Sequence, residues 1–304
     1  LLAVSTFLVL KNFKLNNTFC FLYSLFFAIL AYPSSGTPFA DHHSAFFSLL
    51  GIYSLLLAIK NQKNSYWFFL PVLFGLSFFS KSIPAAFIII PVFFIIILYS
   101  FKKKKIDAVK YCLIGSLFFL ICILMFGKYQ GISLSSFLEQ YIFYPQTIGT
   151  ERFSNLEFTF NGVINHFKFI YIAIIPIVYI NIKKIFFDKN YINSNNFYIF
   201  LGIFFLTFSL ILYQLFTKNQ TLIFFLIPIL FAFSHITLID NKLKLSKVIF
   251  LLFLFICFLV TIKYHLRFNE DRKFHELTNT NFEISIDASK IHEKLSGLNW
   301  ITPQ

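Results

Sequence analysis

Apolar stretches long enough to be helices alternate with short polar gaps over almost the whole chain. Ten such stretches can be marked: residues 1–10, 18–32, 44–59, 66–79, 83–101, 109–126, 166–182, 196–216, 221–239 and 247–262. Most are long enough, with a flanking residue or two, to cross a hydrocarbon core of about 30 Å as helices. The first stretch is shorter than that, and the fourth is the least secure of the others. The pattern predicts an all-α, polytopic transmembrane bundle of about ten spans over residues 1–262, followed by a polar tail over 263–304.

The tail reads as the start of a small soluble α/β appendage. Asp287 is placed to cap a helix over 288–296, Gly297 to stop it, and Leu298-Asn299-Trp300-Ile301-Thr302 to open a strand. His275 and His292 have no partner at ligand spacing and read as surface residues. Both chain ends read as cut. Leu1 falls inside an apolar run with neither a charged segment before it nor a small-residue cleavage site after it, so it is the interior of a helix rather than of a signal peptide.

Composition agrees with this reading. Apolar residues make up 58% of the chain and charged residues 13%, about half the usual share of ~25%. The charges are sorted. Lys11 and Lys14, Lys60 and Lys63, Lys102 to Lys105 with Lys110, Lys183, Lys184 and Lys189, and Lys242, Lys244 and Lys247 fill every second gap. By the positive-inside rule these gaps face the cytoplasm. The intervening gaps carry only Lys81, Lys128, Arg152, Lys168 and Lys218, although they include the longest loop, and so face outward. The net charge of +13 is therefore a membrane signature: the lysines directly abut apolar spans, where anionic lipid headgroups lie, and no nucleic-acid partner is implied. Cys20, Cys112, Cys122 and Cys257 lie within the apolar stretches without metal-ligand spacing.

The outward gaps hold the candidate chemistry. Pro33 to Ala40 form a turn that delivers Asp41, His42 and His43 to the mouth of a helix. Asp41 can ligate a divalent cation or orient a polar substrate, and it can equally cap the helix starting at His42. Ser80-Lys81-Ser82 place an ammonium between two spans, where it either snorkels to headgroups or meets a substrate phosphate. The gap 127–165 is long and aromatic, including Tyr144, Glu151 and Arg152, and is expected to form an ordered segment hugging the membrane. Thr217-Lys218-Asn219-Gln220 crown a Phe-rich stretch containing Pro228.

Taken in order, Phe39-Ala40-Asp41-His42-His43 opening a helix, Gly75-Leu76-Ser77-Phe78-Phe79-Ser80-Lys81 ending the next, and Lys218-Asn219-Gln220 before a Phe-rich helix resemble the polytopic glycosyltransferases of the GT-C superfamily. The likeness is greatest to bacterial relatives of the lipid-linked-sugar-dependent mannosyl- and aminoarabinosyltransferases. The Asp41 motif is also similar to the second acidic motif of some archaeal oligosaccharyltransferases. The resemblance implies inverting transfer of a sugar from a polyprenyl-phosphate donor to a lipid or glycan acceptor, on the outer face of a bacterial inner membrane, with the active side toward the periplasm. It implies catalytic roles for Asp41 and His42, donor-phosphate binding by Lys81, Arg152 and Lys218, and substrate contacts from His43, Tyr144, Glu151 and Gln220. No cofactor is certain; a divalent cation, Mg2+ or Mn2+, at Asp41 is a candidate. The family's principal acid lies in a loop before the second helix, which this chain lacks at its start, so the segment is expected to be catalytically incomplete. Competing classes are an O-antigen polymerase or ligase, which would carry more outward arginines, and a lipid-linked-sugar transporter, which would carry ionisable groups along its spans.

Overall fold

A computed structural model of the protein describes residues 1–31, 39–144, 147, 158–217, 223–241, 247–271 and 281–301. The chain is overwhelmingly helical, and each of the ten apolar stretches forms a helix: α1 (Leu2–Asn12), α2 (Asn17–Leu30), α3 (Ala40–Asn61), α4 (Asn64–Ser80), α5 (Ser82–Lys103), α6 (Ile106–Tyr129), α8 (His166–Phe187), α9 (Asn195–Phe216), α10 (Leu226–Asp240) and α11 (Lys247–Asp271). A short helix α7 (Leu134–Leu138), continued by a π-helical turn over Glu139–Phe143, lies in the long outward gap. Helix boundaries follow local signals. Asn16 and Ser194 cap α2 and α9 through their side chains, and the left-handed residues Gln62 and Lys104 end α3 and α5.

Ten spans, however, are not confirmed. Among the described residues six helices are long and apolar enough to cross a membrane: α3, α5, α6, the combined segment Asn161–Phe187, α9 and most of α11. At 1.5 Å per residue, the 11 to 15 residues of α1, α2 and α10 rise only about 16–23 Å, short of a core of about 30 Å. The 17 residues of α4, with Pro71 in their interior, also fall short. The runs also differ in burial. Leu226 to Ile236 of α10 are all buried, as are Ile223 to Phe225 before it, so this apolar run is the inside of the protein rather than a lipid-facing wall. Pro228 sits in the first turn of α10, where its missing N–H deprives the helix of no bond.

The helices sort by burial. Helix α3 is central, packed against α4, α5 and α9; α10 is buried among α2, α8 and α11; α6 lies at the edge and leans on α4 and α5 alone to any extent. Leu113, Leu117, Phe118, Leu124 and Met125 of α6 are exposed, as expected of a lipid face. Where α6 meets α4 the backbones touch: a Cβ on Gly115 would lie 2.1 Å from the Phe68 carbonyl oxygen. Small residues also bring α3 and α4 together, because Ser44, Ser48 and Ser77 form a buried hydroxyl seam between them.

The tail differs from its expectation in detail. Asp287 does cap, its carboxylate accepting from the Ser289 N–H at 2.9 Å, but the chain then makes two 3-10 turns, Ala288–Lys290 and Glu293–Leu295, rather than one α-helix. Gly297, at φ +85°, turns the chain back so that β2 (Asn299–Trp300) pairs antiparallel with β1 (Ile286–Asp287).

Candidate active site

Antiparallel succession of the helices brings to one end of the bundle the N-termini of α3, α5 and α8 and the C-termini of α4, α9 and α11. The chain pins two of these ends in register before any charge is considered. Ser77 of α4 donates to the Ser44 carbonyl of α3 at 2.7 Å, and the Ser44 hydroxyl donates to the Lys81 carbonyl at 3.1 Å. Lys81 itself is extended (φ −161°) between α4 and α5, which frees its side chain from both helices.

That register sets Lys81 against Asp41. The ammonium lies 2.7 and 2.8 Å from the two carboxylate oxygens, a two-pronged ion pair whose side chains are 34% and 18% exposed. A third residue closes the centre: the Tyr213 hydroxyl, on α9, donates to Asp41 Oδ1. Helix α9 is held in place for this by Ser209, one turn earlier, which donates to the Phe87 carbonyl of α5 at 2.7 Å. Asp41 therefore does not cap its helix. The N-cap position is Phe39, without a side-chain bond, and the carboxylate in the first turn is spent across the bundle instead.

The neighbouring residues part company. His42 is buried, with its ring between Phe39 and Phe46, and its Nδ1 has no hydrogen-bond partner among the described residues. One residue on, about 100° around the helix, His43 is exposed. Tyr144 is exposed at the end of the π turn and makes no hydrogen bond to the Asp41 centre. Arg152, Glu151, Lys218 and Gln220 lie outside the described residues.

The aromatic outward segment is anchored beside the centre. Phe79, two residues before Lys81, stacks on Phe137 of α7 and meets Tyr141 and Phe119, each with ring centroids 5.6 Å away. Below it, between α4, α5 and α6, runs an apolar groove of about 520 Å3 lined by Phe74, Phe78, Phe93, Phe119 and their neighbours. On the far side of Tyr213, the next residue, Gln214, is fully buried; its side-chain carbonyl accepts from the Ile223 N–H at 3.1 Å and its amide nitrogen lies 3.1 Å from His166 Nε2.

Tyr213, Gln214 and His166 were not singled out by motif. All three sit at the ends of apolar stretches, and the available signal is that polar side chains are rare in spans and then usually have a task. For a divalent cation the described residues fit poorly. No three His, Cys, Asp or Glu side chains converge among them, and Asp41 already gives both oxygens to an ammonium.

Residues 2–126 match the family model of dolichyl-phosphate-mannose-protein mannosyltransferases. The match supports a membrane glycosyltransferase of the GT-C superfamily. It spans less than half of the chain but includes both Asp41 and Lys81; Tyr213 lies beyond it. No curated protein and no solved structure matched the chain.

Proposed function

We propose that this GT-C-type glycosyltransferase moves a sugar from a polyprenyl-phosphate donor to a lipid or glycan acceptor at the outward ends of its helices, in a bacterial inner membrane with the active side toward the periplasm. The observation that carries the reading is the Asp41–Lys81 pair at the helix mouths, together with an apolar groove between α4, α5 and α6 whose lining reaches Phe79, two residues before Lys81. A lipid-linked phosphate needs both parts. The groove offers a shaped seat for the first isoprene units; it gains little from hydrophobicity, since surrounding lipid is equally apolar, and selects by fit. The ammonium meets the phosphate, on which negative charge grows as the sugar leaves, and a preorganised cation at that point is the strongest stabilisation available to such a transfer.

Asp41 then orients the acceptor hydroxyl toward the anomeric carbon. On the family pattern a separate acidic residue takes its proton. Arg152 and Lys218 are further cations for the phosphate, and His42, His43, Tyr144, Glu151 and Gln220 further contacts for sugar or acceptor.

The test is transfer of radiolabelled sugar from polyprenyl phosphates, using protein expressed from its complete reading frame in proteoliposomes. Lys81→Met and Asp41→Asn should each lower transfer at least ~100-fold, on the order of 3 kcal/mol of transition-state stabilisation. Unchanged transfer in both variants, or none from wild type with any donor of this class, would refute the assignment.

A further inference from the structure

We propose that Tyr213 is a positioning residue for this transfer, holding Asp41 in place when Lys81 exchanges the carboxylate for the donor's phosphate. The inference rests on the glycosyl-transfer reading and extends it to α9, which the family match does not reach.

Lys81 presents its ammonium protons to both oxygens of Asp41. An incoming phosphate competes for those protons and, being anionic, repels the carboxylate beside it. A half-buried carboxylate that loses its cation would swing away from the site unless another donor held it. The Tyr213 hydroxyl is that donor, because it bonds Oδ1 from α9, a helix that carries neither member of the ion pair. With Oδ1 tied, the exchange releases Oδ2 alone, and its direction is fixed for the hydroxyl of the acceptor.

The anchor is rigid enough for this role. Tyr213 is 1% exposed. Ser209 bonds α9 to α5 one turn before it, Thr217 donates to the Tyr213 carbonyl at 3.2 Å one turn after it, and Gln214 is clasped between His166 and the Ile223 N–H. Packing alone does not explain a tyrosine here. The hydroxyl that a phenylalanine would lack is the group bonded to Asp41.

The test compares wild type, Tyr213→Phe, Asp41→Asn and the double variant in proteoliposomes with a polyprenyl-phosphate sugar. Tyr213→Phe should lower kcat about tenfold or more while donor KM stays within about twofold, since Lys81 still receives the phosphate. In the Asp41→Asn background the same change should lower kcat less than about twofold, because the group it positions is gone. A purely structural tyrosine would give losses that multiply in the double variant. Wild-type turnover in Tyr213→Phe, multiplicative losses, or a defect confined to KM would overturn the positioning role while leaving the transferase reading intact. Absence of transfer by wild type would overturn both.

Discussion

Replacing Lys81 by Met keeps the aliphatic stem and deletes the charge, so it isolates what the ion pair does for the fold. Asp41 would keep Tyr213 and lose both ammonium bonds, at 2.7 and 2.8 Å. Breaking a fully buried pair costs about 3–5 kcal/mol because an uncompensated charge is left behind. An exposed pair contributes about 0–1 kcal/mol. With side chains 34% and 18% exposed, this pair lies between, and solvent screening brings the expected loss to about 1–2 kcal/mol. For a chain of this size that is a fall in apparent melting temperature of about 2–5 °C, readable by thermal unfolding in lipid nanodiscs. The diagnostic is the second substitution. Adding Asp41→Asn removes the stranded charge and should return most of the loss, leaving Lys81→Met/Asp41→Asn more stable than Lys81→Met. If the double variant is instead less stable by the sum of the two single losses, the pair is not a coupled unit, and the geometry argued for the site is wrong.

Gly115→Ala should separate α6 from α4, because its Cβ would lie 2.1 Å from a backbone oxygen that cannot rotate away; a loss of about 1–3 kcal/mol is expected, whereas Gly127→Ala, with nothing within 4 Å, should leave the melting temperature unchanged or raised. Phe79→Ala removes the ring on which Phe137 and Tyr141 rest, so hydrogen exchange over residues 134–144 should quicken about tenfold or more; unchanged protection would show that this segment is anchored elsewhere. The Asp287 carboxyl is held below its ordinary 3.8 chiefly by its bond from the Ser289 N–H. The cap therefore steadies the tail above that pH and is lost as pH falls through the lowered value, so Asp287→Ala should speed exchange of the Ser289 amide at neutral pH and make little difference in strong acid.

Much of this was legible in the residues alone. Every apolar stretch became a helix, because a run of residues that cannot be solvated must close its own backbone bonds. Lys81 was placed between two helices, and Asp41 at the mouth of a third, since charge and turn residues mark where apolar runs stop. Which runs are covered by protein and which are left for lipid was not legible. Leu226 to Ile236 are as apolar as any lipid-facing span, and only their surroundings show that protein rather than lipid covers them. Nor does hydropathy distinguish His42 from His43, whose fates differ by one step around the helix.

By itself the sequence determined the helical class and the places where apolar runs stop and polar residues collect, since these depend on the local length and composition of each run. Only the tertiary structure decided that Asp41 pairs with Lys81 rather than capping α3, and that Tyr213, 172 residues further on, completes the centre. Both contacts depend on how α3, α4 and α9 are registered by Ser44, Ser77 and Ser209. A hydroxyl buried between helices carries no periodic signal, and its partner is chosen by packing across the bundle rather than by neighbours in the chain.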